Sequence, residues 1–203
     1  MIRAVQLYTF LQYCNDSALP KEILECGAGI NPSLEPLLLR FHGHGYVTHG
    51  IEISAERLAA AEQFFRERGI DVDLRLADMR AIPYADASMS FCFSYNSIFH
   101  MSKGDVASSM REIQRVLRPG GLCFVNFLSV DSSAYGRGTE LGPGEFLERE
   151  AGRETVHAYF KDSEPDAYLD GFSLLYKEKR VRERLAGDEM FARGYIDIIA
   201  QKL

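Results

Sequence analysis

The chain has 203 residues, of which 46% are apolar and 26% are charged, and its formal net charge is -6. This length suits one α/β domain that buries a proper core. The negative charge argues against nucleic-acid binding over a broad basic surface, although it leaves room for a local basic patch, and we expect no DNA partner. No stretch approaches the length of a membrane span, and the N-terminus lacks the apolar core of a signal peptide, so we expect no membrane partner.

Four cysteines are scattered along the chain without Cys-x-x-Cys spacing: Cys14, Cys26, Cys92 and Cys123. The last three lie in predicted strands, where a reduced thiol behaves as a small apolar side chain. The sequence therefore predicts a reduced, cytoplasmic protein.

Apolar periodicity predicts that helices and strands alternate through the first 128 residues. The strand predicted over residues 89–95 is almost continuously apolar, which indicates burial on both of its faces. Four strand–helix alternations imply a parallel sheet wrapped by helices. In chain order the predicted elements are a helix over 5–14, a strand over 22–26, a helix from about 33 to 43, a strand over 46–53, a helix capped by Ser54 that ends at Gly69, strands over 73–77 and 89–95, a helix that carries Val106, Met110, Ile113 and Leu117 and ends at residues 118–121, and a strand over 122–128.

The pattern changes after residue 129. Residues 131–144 are rich in Gly, Ser and charge and predict an irregular loop, and residues 145–149 and 155–160 resemble the two strands of a hairpin. Ser163 is a candidate cap for a short helix, and two β-like runs over 172–181 and 195–200 are expected to pair antiparallel. Because no segment resembles a linker, we expect one domain over residues 1–203, with an N-terminal helix in 1–18 and an insertion over 131–170.

The most informative motif is the turn at the end of the first predicted strand. Glu25 stands just before Gly27 and Gly29, which let the backbone turn sharply and approach a ligand closely. A carboxylate here would repel a pyrophosphate and favour a cationic ligand. The third glycine of a dinucleotide motif would stand where Pro32 is found, which argues against NAD. A cationic nucleoside without phosphate, S-adenosylmethionine, suits the turn better.

Acidic residues also follow the next two predicted strands. Glu52 can accept hydrogen bonds from both hydroxyls of a ribose, whichever cofactor carries it. Asp78 can accept from the adenine amino group while the Met79 backbone N–H meets a ring nitrogen, and Ile53 and Met79 can sandwich the ring. The alternative for Glu25 and Glu52 is a solvated strand end, and for Asp78 a helix cap or loop acid.

Taken together, residues 24–29 (LECGAG), 50–54 (GIEIS), 77–79 (ADM), 91–99 and 115–121 (RVLRPGG) resemble the class I S-adenosylmethionine-dependent methyltransferases, particularly their small-molecule branch. The resemblance covers roughly residues 20–128. It implies an α/β fold of the Rossmann-like, doubly wound type, whose seven-stranded, mostly parallel sheet has a reversed last strand. The hairpin and loop after the fifth strand would be an insertion into that fold.

The resemblance also implies roles for single residues. Glu25 and the backbone of Gly27, Ala28 and Gly29 would face the methionine part of the cofactor. Glu52 would hold the ribose, Ile53, Asp78 and Met79 the adenine, and Tyr95 and Asn96 would lie near the sulfonium. The chain departs from the family in having Glu25 where Asp is common, and Met89-Ser90 where Phe-Asp is common. The second departure is expected to affect stability more than chemistry.

Methyl transfer is an in-line displacement, so the protein mainly holds nucleophile, methyl group and sulfur in line and excludes water. A general base helps only if the acceptor must lose a proton. His100 is the first candidate, because the ordinary pKa of histidine, about 6.5, suits that task. A packing role is the alternative.

Candidate acceptor-binding residues lie in two regions. His157 and Tyr135 belong to the insertion, which we expect to act as a lid over the site. Tyr8 and Tyr13 on the N-terminal helix could close the other side, and packing is the alternative for all four residues. His42 and His44 have no partner at metal-ligand spacing, so we expect no metal site.

The sequence thus predicts methyl transfer from S-adenosylmethionine to a small molecule. One alternative is a catalytically idle module that binds S-adenosylmethionine or its demethylated product, and another is a methyltransferase that acts on RNA or protein. The basic run over residues 177–184 could touch RNA, or it could be a charged strand that discourages edge-to-edge pairing.

Overall fold

The computed structural model describes residues 5–30, 34–150, 152–187 and 189–203. Pro32, the predicted helix start at residue 33, and residues 151 and 188 of the two predicted hairpin turns lie outside these ranges. The helices are α1 (Gln6–Asp16), α2 (Leu38–Gly43), α3 (Ala55–Arg66) and α4 (Lys103–Val116), with a 3-10 helix over Glu164–Tyr168. The strands are β1 (Glu22–Cys26), β2 (Val47–Glu52), β3 (Asp73–Leu76), β4 (Met89–Ser94), β5 (Leu117–Ser129), β6 (Thr139–Gly142), β7 (Glu145–Glu150), β8 (Arg153–Phe160), β9 (Phe172–Ala186) and β10 (Glu189–Lys202).

Seven of these strands form the main sheet in the order β3-β2-β1-β4-β5-β10-β9. The first five are parallel to their neighbours, whereas β10 is antiparallel to both β5 and β9. The predicted seven-stranded sheet with a reversed last strand is therefore confirmed. Because parallel strands point the same way, the carboxyl ends of β1 to β4 meet at one edge of the sheet.

The insertion is a three-stranded meander attached to that edge. β6 pairs with β7, β7 pairs with β8, and β8 joins β5 through Leu128 with Tyr159 and Ser129 with Phe160. The predicted hairpin is confirmed, but the prediction of an irregular loop over residues 131–144 was wrong in part, because β6 lies within it. Alternating apolar residues are too few in this short strand for periodicity to show it.

Two element starts differ from the sequence prediction. α2 begins at Leu38 and not near residue 33, because Pro36 disfavours helical geometry in the residue before it. β5 begins at Leu117, so the chain is already in the sheet at the Pro119-Gly120-Gly121 segment. The pairing of β4 with β5 shifts register between Met89 and Phe91, which accommodates this segment.

Helices cover both faces of the sheet. α1, α2 and α3 pack on one face around an aromatic cluster that includes Phe10, Phe41 and Phe93. α4 packs on the other face through Val106, Met110 and Ile113. All six residues of β4 are buried, which confirms that both of its faces lie in the core. The described helices include none with the length and apolar character needed to cross a bilayer.

Ser90, which stands where the family commonly has Asp, is contacted by Arg118. Arg118 donates one hydrogen bond to Ser90 Oγ and another to Glu22 Oε2, both at 2.8 Å. Since Ser90 supplies no carboxylate, the ion pair of Arg118 is made with Glu22 on β1 instead. This replacement is consistent with a structural role for the position.

The basic run over residues 177–184 lies on β9, the edge strand of the sheet. Its lysines are paired: Lys177 with Asp166, and Lys179 with Asp131 and Asp162. A charged edge strand whose lysines bind the neighbouring segments fits the interpretation that these charges discourage edge-to-edge pairing.

Candidate functional site

The loop after β1 is anchored on the neighbouring strand. The backbone N–H groups of Gly27 and Ala28 both donate to the Ile51 carbonyl at 2.9 Å. Gly27 has a φ of 94°, and a Cβ there would overlap the side chain of Ser97, which follows β4. Glycine is therefore needed for both conformation and space, and the loop packs directly against the segment after β4.

Glu52 faces this loop from the end of β2. Its Oε2 accepts the backbone N–H of Gly29 at 3.0 Å, and its Oε1 accepts the backbone N–H of Ser54 at 2.8 Å. Ser54 also caps α3 by accepting the Arg57 N–H, as predicted. A carboxylate has about four lone-pair sites, so each oxygen of Glu52 retains capacity for one more donor, such as a ribose hydroxyl.

Glu25 lies beneath the same loop and is 3% exposed. Its Oε2 has no hydrogen-bond partner among the described residues. Burial raises the pKa of Glu25 well above its ordinary value; the backbone N–H of Leu38 opposes this effect, and the nearby Glu52 adds to it. A buried, unpaired carboxylate is unfavourable unless a cation or a proton neutralises it.

Asp78 follows β3 and is already engaged in an ion pair. Arg80 holds it through Nη2 at 2.6 Å and also contacts Asp105 through Nη1 at 3.0 Å. The hydrogen bond from Arg80 keeps the pKa of Asp78 below its ordinary value. Of the two residues predicted to sandwich the adenine, Met79 is buried and Ile53 is 69% exposed.

Asn96 follows β4 in the left-handed conformation, with a φ of 54°. Its backbone N–H donates to Asn126 Oδ1 at 2.7 Å, and Asn126 Nδ2 donates to Asn96 Oδ1 at 2.6 Å. Asn126 is fully buried on β5. Tyr95, the preceding residue, stacks on Phe124 with 6.2 Å between ring centroids. The amide pair thus fixes the backbone next to the strand ends.

His100 lies at the surface of the same segment. Desolvation lowers the pKa of His100 to about 4, with further contributions from His157, Arg57 and Arg193, although a backbone hydrogen bond with Asn96 acts in the opposite direction. Since part of the residue stays exposed, water can reach it. The imidazole is therefore neutral at neutral pH and able to accept a proton.

The structure brings His157 to His100 but places the tyrosines differently. His157 is 3% exposed and lies 4.7 Å from His100, measured between ring centroids. Tyr135 is exposed and packs on Phe146 and Tyr159 within the insertion. On α1, Tyr8 stacks under Arg40, and Tyr13 lines a surface groove at the end of the helix.

Five polar residues near these strand ends were not found from the sequence: Arg80, Asn126, Glu148, Tyr159 and Arg193. For Asn126 a signal exists, because it is the only polar side chain in the otherwise apolar run 122–128. Arg80 stands only two residues after its partner Asp78, but an Asp-x-Arg pair is too common to mark a site. Glu148, Tyr159 and Arg193 carry no local signal, since they come to the site from the insertion and from β10. Within the described ranges, no group of three or more His, Cys, Asp or Glu residues is placed to hold a metal ion.

A sequence model of the family described as a methyltransferase domain matches residues 24–125. The chain belongs to this methyltransferase family. The matched segment runs from β1 into β5 and contains Glu25, Glu52, Asp78 and His100, whereas the insertion, β9 and β10 lie outside it. The resemblance to class I S-adenosylmethionine-dependent methyltransferases is confirmed.

Two curated methyltransferases are similar to part of the chain. The ubiquinone/menaquinone biosynthesis C-methyltransferase UbiE of Bdellovibrio bacteriovorus is 34% identical over 107 residues, which are 51% of this chain and 43% of that protein. The 27-O-demethylrifamycin SV methyltransferase of Amycolatopsis mediterranei is 35% identical over 114 residues, 54% of this chain and 39% of that protein. The matched part of the chain thus spans about two fifths of the length of these relatives.

A solved structure agrees over nearly the whole fold. A methyltransferase of Methanosarcina mazei, described as S-adenosylmethionine-dependent, superposes with a TM-score of 0.74 over 95% of this chain and 97% of that chain, at 22% identity. The family and the fold indicate S-adenosylmethionine as the cofactor. The Oε2 of buried Glu25, which has no hydrogen-bond partner among the described residues, fits a cationic ligand.

Proposed function

We propose that this chain transfers the methyl group of S-adenosylmethionine to a small-molecule acceptor. The observation that carries the proposal is the buried Oε2 of Glu25, which lacks a partner among the described residues and lies beneath the glycine loop. A cation neutralises such a carboxylate, whereas a pyrophosphate would repel it. Glu52, fixed beside the same loop, adds an acceptor for ribose hydroxyls.

The proposed cofactor contacts follow the strand ends in order. Glu25 and the backbone of the loop after β1 face the positively charged methionine part, and Glu52 holds the ribose. The residues proposed to contact the cofactor are Glu25, Gly27, Ala28, Gly29, Glu52, Ile53, Asp78, Met79, Tyr95 and Asn96. Exposed Ile53 is available to cover one face of the adenine, while Asp78, held by Arg80, is proposed to accept from the adenine amino group.

The cofactor, when bound, supplies an activated methyl group. The chain's own residues hold the two reactants in line and keep water from the reacting atoms. Neutral His100 is proposed to accept a proton from an acceptor that must lose one, and its exposed part lets the proton pass to solvent. Tyr8, Tyr135 and His157 remain proposed acceptor-binding residues, and His157, being buried, would act through His100.

Two observations support a small-molecule acceptor. The relatives' names refer to ubiquinone/menaquinone biosynthesis and to demethylrifamycin, which are small molecules. In addition, β8 adjoins the end of β5 and its Ala158 N–H donates to the Phe99 carbonyl at 2.9 Å, so the insertion lies beside the segment that carries His100. We propose that residues 131–170 form a lid within a single domain over 1–203. From the sequence we also propose that the protein is cytoplasmic and that it has no DNA or membrane partner.

The test combines binding and transfer. Calorimetry is expected to show that the wild type binds S-adenosylmethionine and S-adenosylhomocysteine. In Glu52→Gln the affinity for both should fall about 10- to 100-fold, because one charged hydrogen-bond acceptor is lost. Glu67→Gln, at the exposed end of α3, is the control and should bind normally. No binding of either compound, or tighter binding of NAD, contradicts the proposal.

Transfer is measured with S-adenosylmethionine labelled in its methyl group and a metabolite extract. Label in small molecules is expected. Label in protein or RNA would favour a macromolecular acceptor instead, and binding without transfer to any fraction would favour an idle binding module.

A further inference from the structure

Three side chains form a row that leads from the insertion to the candidate site. Glu148 on β7 lies 3.3 Å from His157 on β8, measured from Oε1 to Nδ1. The ring of His157 meets the ring of His100 nearly edge to face, at an interplanar angle of 69°. Glu148 and His157 lie outside the segment that the family model matches, so this row is not part of what the family match describes.

Two hydrogen bonds hold Glu148 and His157 in place beside His100. Tyr159 is 1% exposed, and its hydroxyl donates to the same Glu148 Oε1 at 2.9 Å. The hydrogen bond from Ala158 N–H to the Phe99 carbonyl ties β8 to the residue before His100. Glu148 Oε1 is within ion-pair distance of His157 Nδ1, and a carboxylate so close to one ring nitrogen favours one tautomer and one orientation of the ring.

We propose that Glu148 and His157 are positioning residues that hold the His100 imidazole in place as the proton acceptor for the methyl acceptor. This inference rests on the proposed function. Glu148 orients His157, and His157 packs against His100 from the side away from solvent. His100 is the group that would touch the reacting molecule.

The two substrates and His100 account for every proton and electron pair that moves in the transfer step. A lone pair of the acceptor atom forms the new bond to the methyl carbon as the carbon–sulfur bond breaks, and that bond's electron pair stays on sulfur. The acceptor's proton moves to a ring nitrogen of His100. The imidazolium then releases it to water through its exposed part.

The charged groups around His100 favour its neutral form. His157 faces it from β8, Arg57 from α3 and Arg193 from β10, and each opposes a positive charge on the ring. Arg193 also lines a cavity of about 20 Å³ together with Glu148, His157 and Tyr159. A polar cavity of this size has room for about one water molecule.

The decisive measurement is an NMR titration of the histidine Cε1–H resonances. The His100 signal is assigned by its loss in His100→Gln. In His157→Gln the midpoint of His100 is expected to move upward, because His157 no longer opposes a positive charge on the His100 ring. The control is His49→Gln, since His49 Nδ1 also lies 3.3 Å from a carboxylate, that of Asp73, but on β2 away from the site. An unmoved His100 midpoint in His157→Gln overturns the proposal.

A second measurement separates positioning from packing. Glu148→Gln keeps an oxygen that can accept from Tyr159 but removes the negative charge that faces His157, whereas Glu148→Leu removes both. Methyl transfer into the acceptor-containing extract fraction is expected to fall in the order wild type, Glu148→Gln, Glu148→Leu, while affinity for S-adenosylhomocysteine stays constant. Equal transfer by all three proteins contradicts the proposal.

The two proposals fail in different ways. If the wild-type chain binds neither S-adenosylmethionine nor S-adenosylhomocysteine, the proposed function fails. If it binds and transfers but the Glu148 and His157 variants lose only thermal stability, with the His100 titration and transfer unchanged, the positioning role alone is refuted.

Discussion

Glu52 accepts the backbone N–H of Gly29 at 3.0 Å, although Glu52 ends β2 and Gly29 lies in the loop after β1. The bond forms because β1 and β2 are parallel neighbours with Cys26 opposite Ile51, so their carboxyl ends lie side by side. A ribose-binding carboxylate is thereby fixed beside the turn that would receive the methionine part of the cofactor.

Gly29→Ala is expected to damage both stability and binding. The added Cβ would overlap Glu52 Oε2 and come within 2.6 Å of Arg57 Cβ. Overpacking of this kind typically costs about 1–3 kcal/mol of unfolding free energy. Gly43→Ala is the matched control, because nothing lies within 4 Å of a Cβ at that position. Denaturant unfolding and calorimetry with S-adenosylhomocysteine check both effects; wild-type behaviour of Gly29→Ala would contradict the geometry.

Glu25→Gln is expected to increase folding stability while it weakens binding of S-adenosylmethionine. The pKa of Glu25 is raised in the folded state, so the folded chain holds a proton that the unfolded chain has released. The stability linked to Glu25 is therefore present below its ordinary pKa of 4.5 and is lost as the pH rises. The unfolding free energy of Glu25→Gln should therefore exceed that of the wild type by an amount that increases from about pH 4.5 upward.

The binding half of this prediction is measured by calorimetry at a series of pH values above 4.5, the ordinary pKa of Glu25, each in two buffers of different ionisation enthalpy. The wild type should release protons on binding S-adenosylmethionine, because the cation favours the charged carboxylate, and Glu25→Gln should release fewer and bind about tenfold or more weakly. A variant that is less stable than the wild type at pH 7, or that binds equally well, would remove Glu25 from the proposed role.

Asn126→Leu is expected to loosen the backbone at Asn96. The substitution removes the acceptor of the Asn96 N–H, and because Asn96 is exposed, the expected cost is that of one ordinary hydrogen bond, about 0.5–1.5 kcal/mol. Asn96→Gly added to this variant should restore part of the stability, because glycine adopts a positive φ without strain. Thermal melts and S-adenosylhomocysteine titrations of the single and double variants test the relationship. An Asn126→Leu protein with wild-type affinity would show that the amide pair does not hold the site.

Arg80→Gln is expected to weaken cofactor binding several-fold while changing stability little. The ion pair with Asp78 is partly exposed, and such pairs contribute about 0–1 kcal/mol. Without the guanidinium, however, Asp78 loses its fixed orientation and its pKa returns toward the ordinary value. Asp105→Asn is the control, because it removes the other partner of Arg80 and keeps the pair with Asp78. Equal affinities for all three proteins would argue against an orienting role.

Local patterns were enough to predict most of the elements. The spacing of Val106, Met110 and Ile113 predicted α4, and the apolar run 89–95 predicted a strand buried on both faces. The patterns failed where one residue overrides periodicity, as Pro36 does before α2, or where a strand is too short to show alternation, as in β6. The three acidic strand ends at Glu25, Glu52 and Asp78 were also predictable, because motif spacing places them.

The sequence by itself determined the alternation of strands and helices and the strand-end carboxylates, since each depends on residues close together along the chain. The order of several such motifs determined the family, and the family implied the reversed last strand. The partners of those residues were decided only by the tertiary structure. Arg80 joins Asp78 to Asp105, 25 positions away, Asn126 bonds to Asn96 across 30 positions, and Glu148 and His157 of the insertion lie beside His100. Hydrogen bonds and charges act over a few ångströms in space, so which distant side chains meet follows from the packing of the strands and is not encoded in any local pattern.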